Sequence, residues 1–452
     1  MFNKLFSFTQ NNTQFLYNNS LLLQNIDKFI YLSILAVFAA STVFPSDYIG
    51  IIAVFTTILT VIKLLFVKGE KLEATNAEIW LLAYFMIVII SLAGSSLFML
   101  SLKGFLKTLI YTGFYLSIAH FFKNNKDKIF PVFLTIGLCV SFEGIMGFLQ
   151  NFAHVEEIST WQDVSKLNPE EVMTRVYGTL KPYNPNLLGG YFVAGIPALY
   201  AVVAALFTDK KYKLAAIGGF CALISSVALF LTGCRGSYIG MMVILGGTFL
   251  VSAKYLWHSY KAIYISIVGG CAALMTSAIL LSASLRARIL SIFAMRQDSS
   301  NSFRFNVYQS SFNMFKENWL LGIGCGNRNF REIYGIYMRT GFDALSAYNI
   351  FLEIAVESGI FALIAFLGFI ISTLVDGVKM LLKSADTKQV IFLSAAVISI
   401  CAVMIHGLVD TVFFRPQLQF IFWTMAAVVT SIKKHEAISK DNPSEFHPVI
   451  NE

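Results

Sequence analysis

The sequence has 452 residues, of which 56% are hydrophobic and 13% are charged. A soluble domain carries about 25% charged residues, so this composition excludes an ordinary soluble protein and predicts a helical membrane protein. The net charge is +8. The basic residues are divided between the two sides of the predicted membrane, which argues against nucleic acid as a partner.

Polar segments lie at both ends of the chain. The first segment, 1–28, is rich in asparagine and contains no small-residue cleavage site. We therefore predict a cytoplasmic N-terminal segment rather than a removable signal peptide. The last segment, 433–452, is predicted to be a disordered cytoplasmic tail.

Apolar stretches recur throughout 29–432, and each is close to the length of about 17–25 residues that crosses a bilayer. They predict an all-α polytopic membrane protein with about twelve transmembrane helices. Because the last stretch is short and the first two are close together, about eleven spans remain an alternative. The predicted spans are 29–45, 48–67, 78–98, 105–122, 130–153, 187–207, 213–232, 237–253, 262–282, 355–375, 389–409 and 417–432.

The short loops on one side of the predicted membrane are rich in lysine. Positive charge in short loops marks the cytoplasmic side, so both termini are predicted to be cytoplasmic. The exterior then holds two long segments, 154–186 and 283–354. The lysines that set this orientation are Lys123, Lys126, Lys128, Lys210, Lys211, Lys213, Lys254, Lys261, Lys379, Lys383 and Lys388.

Every arginine of the chain falls on the predicted exterior side. Arginine binds phosphate or carboxylate through two parallel hydrogen bonds, whereas lysine acts as a point charge. An arginine-rich exterior face therefore predicts an anionic ligand. The arginines are Arg175, Arg235, Arg286, Arg288, Arg296, Arg304, Arg328, Arg331, Arg339 and Arg415.

Two arginines lie in exterior segments that lead into predicted spans. Arg175 begins a polar and glycine-rich stretch, 175–190, which could form a backbone nest for an anion or a plain turn before a helix. Arg235 lies in a very short turn, 232–237, where a charged residue either serves function or reaches out to the lipid headgroups. Glu143, deep in a span, must be protonated or paired.

The large segment 283–354 has the pattern of a folded region rather than a linker. Its aromatic residues recur at helical spacing ahead of a glycine-rich loop. The stripe could lie on the membrane interface or pack on neighbouring helices, and in either arrangement it would hold Arg304 near headgroup depth. The aromatic residues are Phe305, Tyr308, Phe312 and Phe315.

The glycine-rich loop has Gly322 and Gly324 at alternating positions, followed by Arg328. Glycine permits the close approach of backbone amides to a ligand, so this loop could bind phosphate or form a tight turn. Glu353 and Glu357 follow, four residues apart on one helical face. They could do acid–base work, bind an ammonium group or simply mark a solvated helix entry.

A histidine and an aspartate lie near the end of the chain. His406 and Asp410 are four residues apart, and Arg415 follows. The aspartate could orient the imidazole for proton transfer, although a structural histidine is the alternative. No cysteine spacing predicts a metal site. Cys139, Cys221, Cys271 and Cys401 lie in apolar spans and are predicted to be inert.

These motifs, in this order, resemble the O-antigen ligase/polymerase superfamily over about 170–430. The resemblance implies a membrane-embedded, GT-C-like glycosyltransferase of the bacterial inner membrane that needs neither metal nor cofactor. It would transfer a glycan from undecaprenyl diphosphate to a glycan or lipid acceptor at the periplasmic face. The matching residues are 232–236, Arg304, Asn318, Trp319, Gly322, Gly324, Asn349, Leu352, Glu357 and Gly359.

The resemblance also implies roles for single residues. Tyr348 stands where the ligases usually have a histidine, and tyrosine is a poor base at neutral pH. The base would then be His406, Glu353 or Glu357, with Asp410 beside His406. The donor diphosphate would be bound by Arg175, Arg235, Arg304, Arg328 and Arg415. Tyr348, Asn349, Gly322 and Gly324 would shape the loop that meets the acceptor. Cys234 and Cys325, next to Arg235 and in the glycine loop, would then face one cavity.

A narrower resemblance leads to a branch of this superfamily, of cyanobacterial type, that is named for bicarbonate transport. It is carried by residues 342–345, Tyr348, and residues 356–357, 406–411 and 415–416. Bicarbonate transport and a catalytically silent relative are therefore alternatives to transferase activity. A transporter is expected to show internal repeats and polar residues at mid-membrane, and the sequence shows no convincing repeat.

The orientation can be tested with reporter fusions. A reporter pair that is active on opposite sides of the membrane should give opposite signals at residue 320 and at the C-terminus. This result follows from the lysine-rich short loops, which place 283–354 outside and both termini inside. Matching signals at the two positions would contradict the orientation.

Overall fold

The computed structural model describes residues 2–153, 175–290, 292 and 299–441. All regular elements of these residues are helical, which confirms the predicted all-α polytopic class. Arg296, most of the predicted exterior segment 154–186 and the end of the predicted tail lie outside the described residues.

Seventeen α-helices follow one another along the described chain. The N-terminal part holds α1 Phe2–Asn12, α2 Gln14–Asn19, α3 Leu21–Gln24, α4 Ile26–Ser41, α5 Ser46–Phe66, α6 Asn76–Ala93, α7 Phe98–Asn124 and α8 Ile129–Phe152. The middle part holds α9 Pro185–Thr208, α10 Tyr212–Leu231, α11 Arg235–Leu281, α12 Ala283–Leu290, α13 Ser299–Glu317 and α14 Asn327–Tyr337. The last helices are α15 Ile350–Lys383, α16 Thr387–His406 and α17 Pro416–Asp441.

Eight segments of the described chain are long and apolar enough to cross a membrane. They lie in α5, α6, α8, α9, α10, the first part of α11, α15 and α16. α4 has only 16 residues, and α7 carries lysine at 103, 107 and 123. These two helices and α17 coincide with predicted spans, so the count of about twelve remains a prediction.

The long helix α11 reverses direction within its 47 residues. A straight helix would be about 70 Å long and would place residues 249 and 264 about 22 Å apart. Instead, the Tyr264 hydroxyl donates a hydrogen bond to the Phe249 carbonyl over 2.8 Å. Arg288, just beyond α11, donates to the Gly233 carbonyl at the start of α11. The reversal agrees with the two separate spans predicted here.

The lysine-rich loops meet at one end of the helix bundle. Lys388, in the first turn of α16, pairs with Asp209, just after α9, over 2.7 Å. At the end of α17, Lys434 pairs with the buried Glu78 at the start of α6 over 2.6 Å. The helices α9, α15 and α17 each end near these lysines. Their first residues therefore lie at the opposite end of the bundle. The arginine-bearing loops lie at that opposite end.

Aromatic packing around α17 forms the centre of the bundle. The rings of Tyr115 and Trp423 lie 5.5 Å apart, and those of Phe369 and Trp423 lie 5.4 Å apart. The Tyr115 hydroxyl shares a hydrogen bond of 2.9 Å with Thr430. Lipid is as apolar as these side chains, so close packing and interhelical hydrogen bonds hold such helices together.

A break at Gly359 divides α15 and receives the glycine-rich loop. Gly359 has φ +81°, so the helical hydrogen bonds stop there. The amides of Ile323 and Gly324 donate to the freed carbonyls of Val356 and Glu357 over 3.0 and 2.9 Å. These amides are therefore used inside the fold, and the structure favours the tight turn over the phosphate-binding loop.

Replacing Gly359 with alanine should destabilise the protein. The new Cβ would lie 2.1 Å from the Leu320 carbonyl oxygen, and the positive φ is strained for any residue with a Cβ. We expect a loss of at least about 2 kcal/mol, measured as thermal unfolding in detergent. The control is Gly246→Ala in α11, where nothing lies within 4 Å of the added Cβ. Equal melting temperatures for the two variants would contradict the role of the break.

Candidate anion-binding site

Three arginines meet at the turn between α10 and α11. Arg235 is part of the turn and is buried. The Arg175 Nε donates to the Thr232 carbonyl over 2.8 Å, and the Arg288 Nε donates to the Gly233 carbonyl over 2.9 Å. The turn carbonyls thus hold two guanidinium groups from distant parts of the chain beside Arg235.

Glycines allow this close approach. Gly233 has φ +63°, and a Cβ there would lie 3.1 Å from the Arg175 side chain. A Cβ on Gly189 would lie 2.4 Å from the Ser237 hydroxyl oxygen, because α9 and α11 pass close to each other. The Thr232 hydroxyl accepts a hydrogen bond from the Cys234 amide and closes the turn. The glycines predicted in the two motifs therefore have a packing role.

Arg304 reaches the same region from α13. Its Nη2 lies 3.9 Å from the Asp410 Oδ2, and its guanidinium lies 5.8 Å from the centre of the Tyr348 ring. Its Nη1 donates to Ser300, but its Nε is buried and has no hydrogen-bond partner among the described residues. A buried donor without a partner is costly, so this N–H is available to a ligand.

Asn186 connects Arg175 with Asp410. It accepts a hydrogen bond from the Arg175 Nη2 over 2.5 Å and donates from its Nδ2 to the Asp410 Oδ2 over 3.2 Å. The Asp410 Oδ1 accepts from the Val412 amide over 3.0 Å. Through this carboxylate the network extends to Arg304. We call Arg175, Arg235, Arg288 and Arg304 the arginine cluster.

Like charges are crowded around Arg288 in the arginine cluster. Burial and the neighbouring charges of Arg175 and Arg235 lower the pKa of Arg288 to about 10. Such a shift records the free-energy cost of crowding like charges in a poorly solvated place. An anion between these groups would relieve that cost and accept their hydrogen bonds.

His406 lies beside the cluster and contacts Cys234. Its Nε2 is 3.8 Å from the Cys234 Sγ, and both side chains are buried. Among the described contacts no hydrogen bond joins His406 to Asp410, so the predicted orientation of the imidazole by Asp410 is not seen. Burial would raise the pKa of the Cys234 thiol, but the hydrogen bond and charge of His406 outweigh it and lower the pKa to about 7.

Tyr348 and Asn349 shape the entry of α15. Burial and the charge of Asp410 raise the pKa of Tyr348, against a smaller opposite effect of Arg304. This direction agrees with the prediction that Tyr348 is a poor base. The Asn349 side chain caps α15 by accepting from the Leu352 amide, and it donates to the Leu408 carbonyl over 3.0 Å. Asn349 therefore positions α15 against the end of α16.

The two glutamates line a separate cavity. Glu353 and Glu357 are buried on one face of α15, as their spacing predicted. Glu353 accepts from the Ala347 amide over 3.2 Å, and the Gly326 amide donates to the Glu357 carboxylate. Lys107 and several aromatic side chains complete the walls, notably those of Tyr84, Tyr111, Phe366 and Trp423.

The other predicted site residues are placed differently. Arg328 is exposed at the start of α14, and no described contact joins it to the arginine cluster. Arg415 is exposed and interacts electrostatically with Tyr111 of the glutamate cavity. Cys234 and Cys325 are both free thiols, and Cys325 lines the glutamate cavity instead. Glu143 is buried, and its two carboxylate oxygens accept hydrogen bonds from the amide and the hydroxyl of Thr179.

The structure adds Arg288 and Asn186 to the predicted site, and it places Cys234 against His406. Arg288 belongs to the exterior arginines, but no motif singles it out. Asn186 lies in the stretch that was predicted to bind an anion. The structure also brings Cys234, His406 and Asp410 together as metal-ligating side chains, whereas the sequence predicted no metal site.

The phenylalanine- and tyrosine-rich face of α13 is only partly covered. The buried face of α13 lies beside this aromatic stripe and is formed by Val307, Ser310, Ser311 and Met314. The Tyr308 hydroxyl donates to the Tyr348 carbonyl, whereas Phe312 stays exposed. The helix thus packs on the start of α15 and leaves an aromatic edge outside.

Comparison with known proteins agrees with this placement. Residues 220–367 match the family model of the O-antigen ligase domain. The match confirms the resemblance to the O-antigen ligase/polymerase superfamily, and it spans Arg235, Arg288, Arg304 and both glutamates. The narrower resemblance to the branch named for bicarbonate transport stays a prediction. No curated protein matches the chain. The chain is a multi-pass membrane protein in which residues 220–367 are similar to the O-antigen ligase domain.

Arg304→Lys should weaken binding of inorganic pyrophosphate or of a prenyl diphosphate by about tenfold or more, because lysine cannot replace the two parallel hydrogen bonds. The measurement is calorimetric titration of the purified protein in detergent. The control is Arg328→Lys, which makes the same exchange on an exposed side chain outside the cluster. Equal losses in both variants would indicate nonspecific charge binding.

Proposed function

We propose that this protein transfers a glycan from undecaprenyl diphosphate to an acceptor at the periplasmic face of the bacterial inner membrane. The observation that carries the proposal is the meeting of Arg175, Arg235 and Arg288 at the turn 232–237, with Arg304 linked to them through Asp410 and Asn186. The match to the O-antigen ligase domain supports lipid-linked glycans as the substrate class.

The arginine cluster would bind the diphosphate of the donor. During transfer an oxygen of the acceptor attacks the anomeric carbon of the donor glycan. The bond between this carbon and the diphosphate oxygen breaks, and the electron pair stays on the diphosphate. Donors already aimed at this oxygen stabilise the developing charge, which is commonly the largest single contribution to such catalysis. The unpartnered Nε of Arg304 is one such donor.

His406 would accept the proton of the acceptor hydroxyl. Its imidazole lies beside the arginine cluster. The ring packs closely against Gly236, where an added Cβ would lie 2.8 Å from the His406 Cδ2. An imidazole takes up protons near neutral pH, whereas Tyr348 does not. Glu357 is the alternative base, since the glutamate cavity lies next to Asn349 and the start of α15.

A position at the end of the bundle favours transfer over transport. Arg175 precedes α9, Arg235 is the first residue of α11, and Arg288 and Arg304 lie in α12 and α13. All four belong to segments predicted to be exterior, opposite the lysine-rich loops. A bicarbonate path would instead need polar groups near mid-membrane. A catalytically silent relative would bind the diphosphate through the same arginines and would leave the glycan on its lipid carrier.

The proton acceptor can be tested by complementation. In the source bacterium without this gene, mass spectrometry would follow the glycan that remains on undecaprenyl diphosphate. The parental protein and Tyr348→Phe should clear it, whereas His406→Gln should slow clearance by about 100-fold or more, the contribution of a general base. Glutamine keeps a polar contact to Cys234 but cannot take the proton.

The matched comparison is Glu357→Gln, which still accepts a hydrogen bond from the Gly326 amide. Clearance by this variant together with failure of His406→Gln assigns the base to His406. The reverse pattern assigns it to Glu357, and failure of Tyr348→Phe alone assigns it to Tyr348. A parental protein that clears no lipid-linked glycan would contradict transferase activity.

A further inference from the structure

Three metal-ligating side chains meet beside the arginine cluster, from parts of the chain that are far apart in sequence. Cys234 lies in the turn before α11, His406 ends α16, and Asp410 follows it. One ligand atom from each, a sulfur, a nitrogen and an oxygen, lies within 4.8 Å of the others. We propose that Cys234, His406 and Asp410 bind one zinc ion.

The separation of the ligand atoms suits tetrahedral zinc. Zinc binds thiolate sulfur at about 2.3 Å and imidazole nitrogen at about 2.0 Å, so tetrahedral ligands of these types lie about 3.6 Å apart. The Cys234 Sγ and the His406 Nε2 are 3.8 Å apart. The sulfur and the nitrogen are therefore already close to the separation that a shared tetrahedral ion requires.

The surrounding residues hold the ligands in place. A Cβ on Gly190 would lie 3.3 Å from the His406 Cε1, so the ring is enclosed. The Asp410 carboxylate accepts hydrogen bonds from the Val412 amide and from Asn186. Such outer contacts orient ligands and raise metal affinity. Only 3%, 1% and 4% of Cys234, His406 and Asp410 is exposed, so water competes little for the ion.

The ligand types select zinc over the hard cations. Thiolate is a soft ligand that favours zinc, whereas magnesium and calcium prefer sites made of oxygen. Three protein ligands also leave the fourth position of a tetrahedral ion open. Structural zinc sites have four protein ligands, whereas this site offers three and leaves one position for an outside ligand.

The arginine cluster limits the affinity of the site. The Arg304 Nη2 lies 3.9 Å from the Asp410 Oδ2 and repels a dication. The thiolate of Cys234 and the carboxylate of Asp410 together balance the two charges of zinc. We therefore expect binding that is weaker than in structural zinc sites and that is strengthened by phosphate, which can take the fourth position and pair with the arginines.

Bound zinc would block transfer. The ion takes the lone pair of the His406 Nε2, so this nitrogen can no longer accept a proton from the acceptor hydroxyl. It also draws Asp410 away from Arg304. This inhibitory consequence rests on the proposed function, whereas zinc binding itself does not.

The test uses purified, tag-free protein in detergent, titrated with zinc chloride by calorimetry and with cobalt chloride by absorption. We expect one zinc per chain and a thiolate-to-cobalt charge-transfer band. Cys234→Ser should abolish the band and weaken zinc binding by about tenfold or more, because a hydroxyl is a poor zinc ligand. The control is Cys325→Ser, which removes another buried thiol and should leave both signals unchanged.

Two results would overturn the site. One is the absence of the charge-transfer band in the parental protein, and the other is zinc binding that survives in Cys234→Ser. In the transfer assay, zinc should inhibit the parental protein but not Cys234→Ser, each compared with its own zinc-free rate. Zinc binding without any transfer activity would contradict the proposed function and leave the site standing. Transfer activity without zinc binding would contradict the zinc site and leave the proposed function standing.

Discussion

Guanidinium groups held against backbone carbonyls at the turn 232–237 form the interaction on which the rest of the site depends. Arg175 and Arg288 donate to consecutive carbonyls, and Arg235 lies in the same turn. These bonds draw the segment before α9, the start of α11 and the helix α12 to one point. His406 contacts Gly236 of this turn, and Arg304 is linked to it through Asp410 and Asn186. A binding site for an anion follows from this arrangement.

The helices that carry the site are fixed by glycine contacts and by one broken helix. Gly189 and Gly236 allow α9 and α16 to approach α11 within side-chain contact distance. At Gly359 the break in α15 exposes carbonyls that the glycine-rich loop satisfies. In a membrane, backbone groups outside regular helices must find partners within the protein. The loop is therefore part of the helix packing, and its glycines place the glutamates rather than a phosphate.

Much of this organisation could be predicted from the sequence, because it depends on local spacing. The length of apolar stretches predicted the spans, and the four-residue spacing of Glu353 and Glu357 predicted their shared face. The division of lysine and arginine between loops predicted two chemically different ends. Arg175, Arg235 and Arg304 were predicted to act together, and the structure brings them to one cluster.

Long-range contacts were beyond the reach of sequence spacing. Arg288 joins the cluster only because α11 reverses, and Arg328 and Arg415 stay outside because α14 and α17 begin elsewhere on this end of the bundle. The contact between Cys234 and His406 joins residues that are 172 positions apart. The glycine-rich loop resembled a phosphate site because its glycines alternate, but its amides are taken up by α15. Such outcomes depend on tertiary packing, which no local pattern encodes.

The most direct test of the central claim is a cryo-electron microscopy structure of the protein with a prenyl diphosphate bound. The account predicts the diphosphate at hydrogen-bond distance, about 2.7–3.2 Å, from the Arg304 guanidinium and from at least one of Arg175, Arg235 and Arg288. A diphosphate bound in the glutamate cavity, or at the lysine-rich end of the bundle, would contradict it.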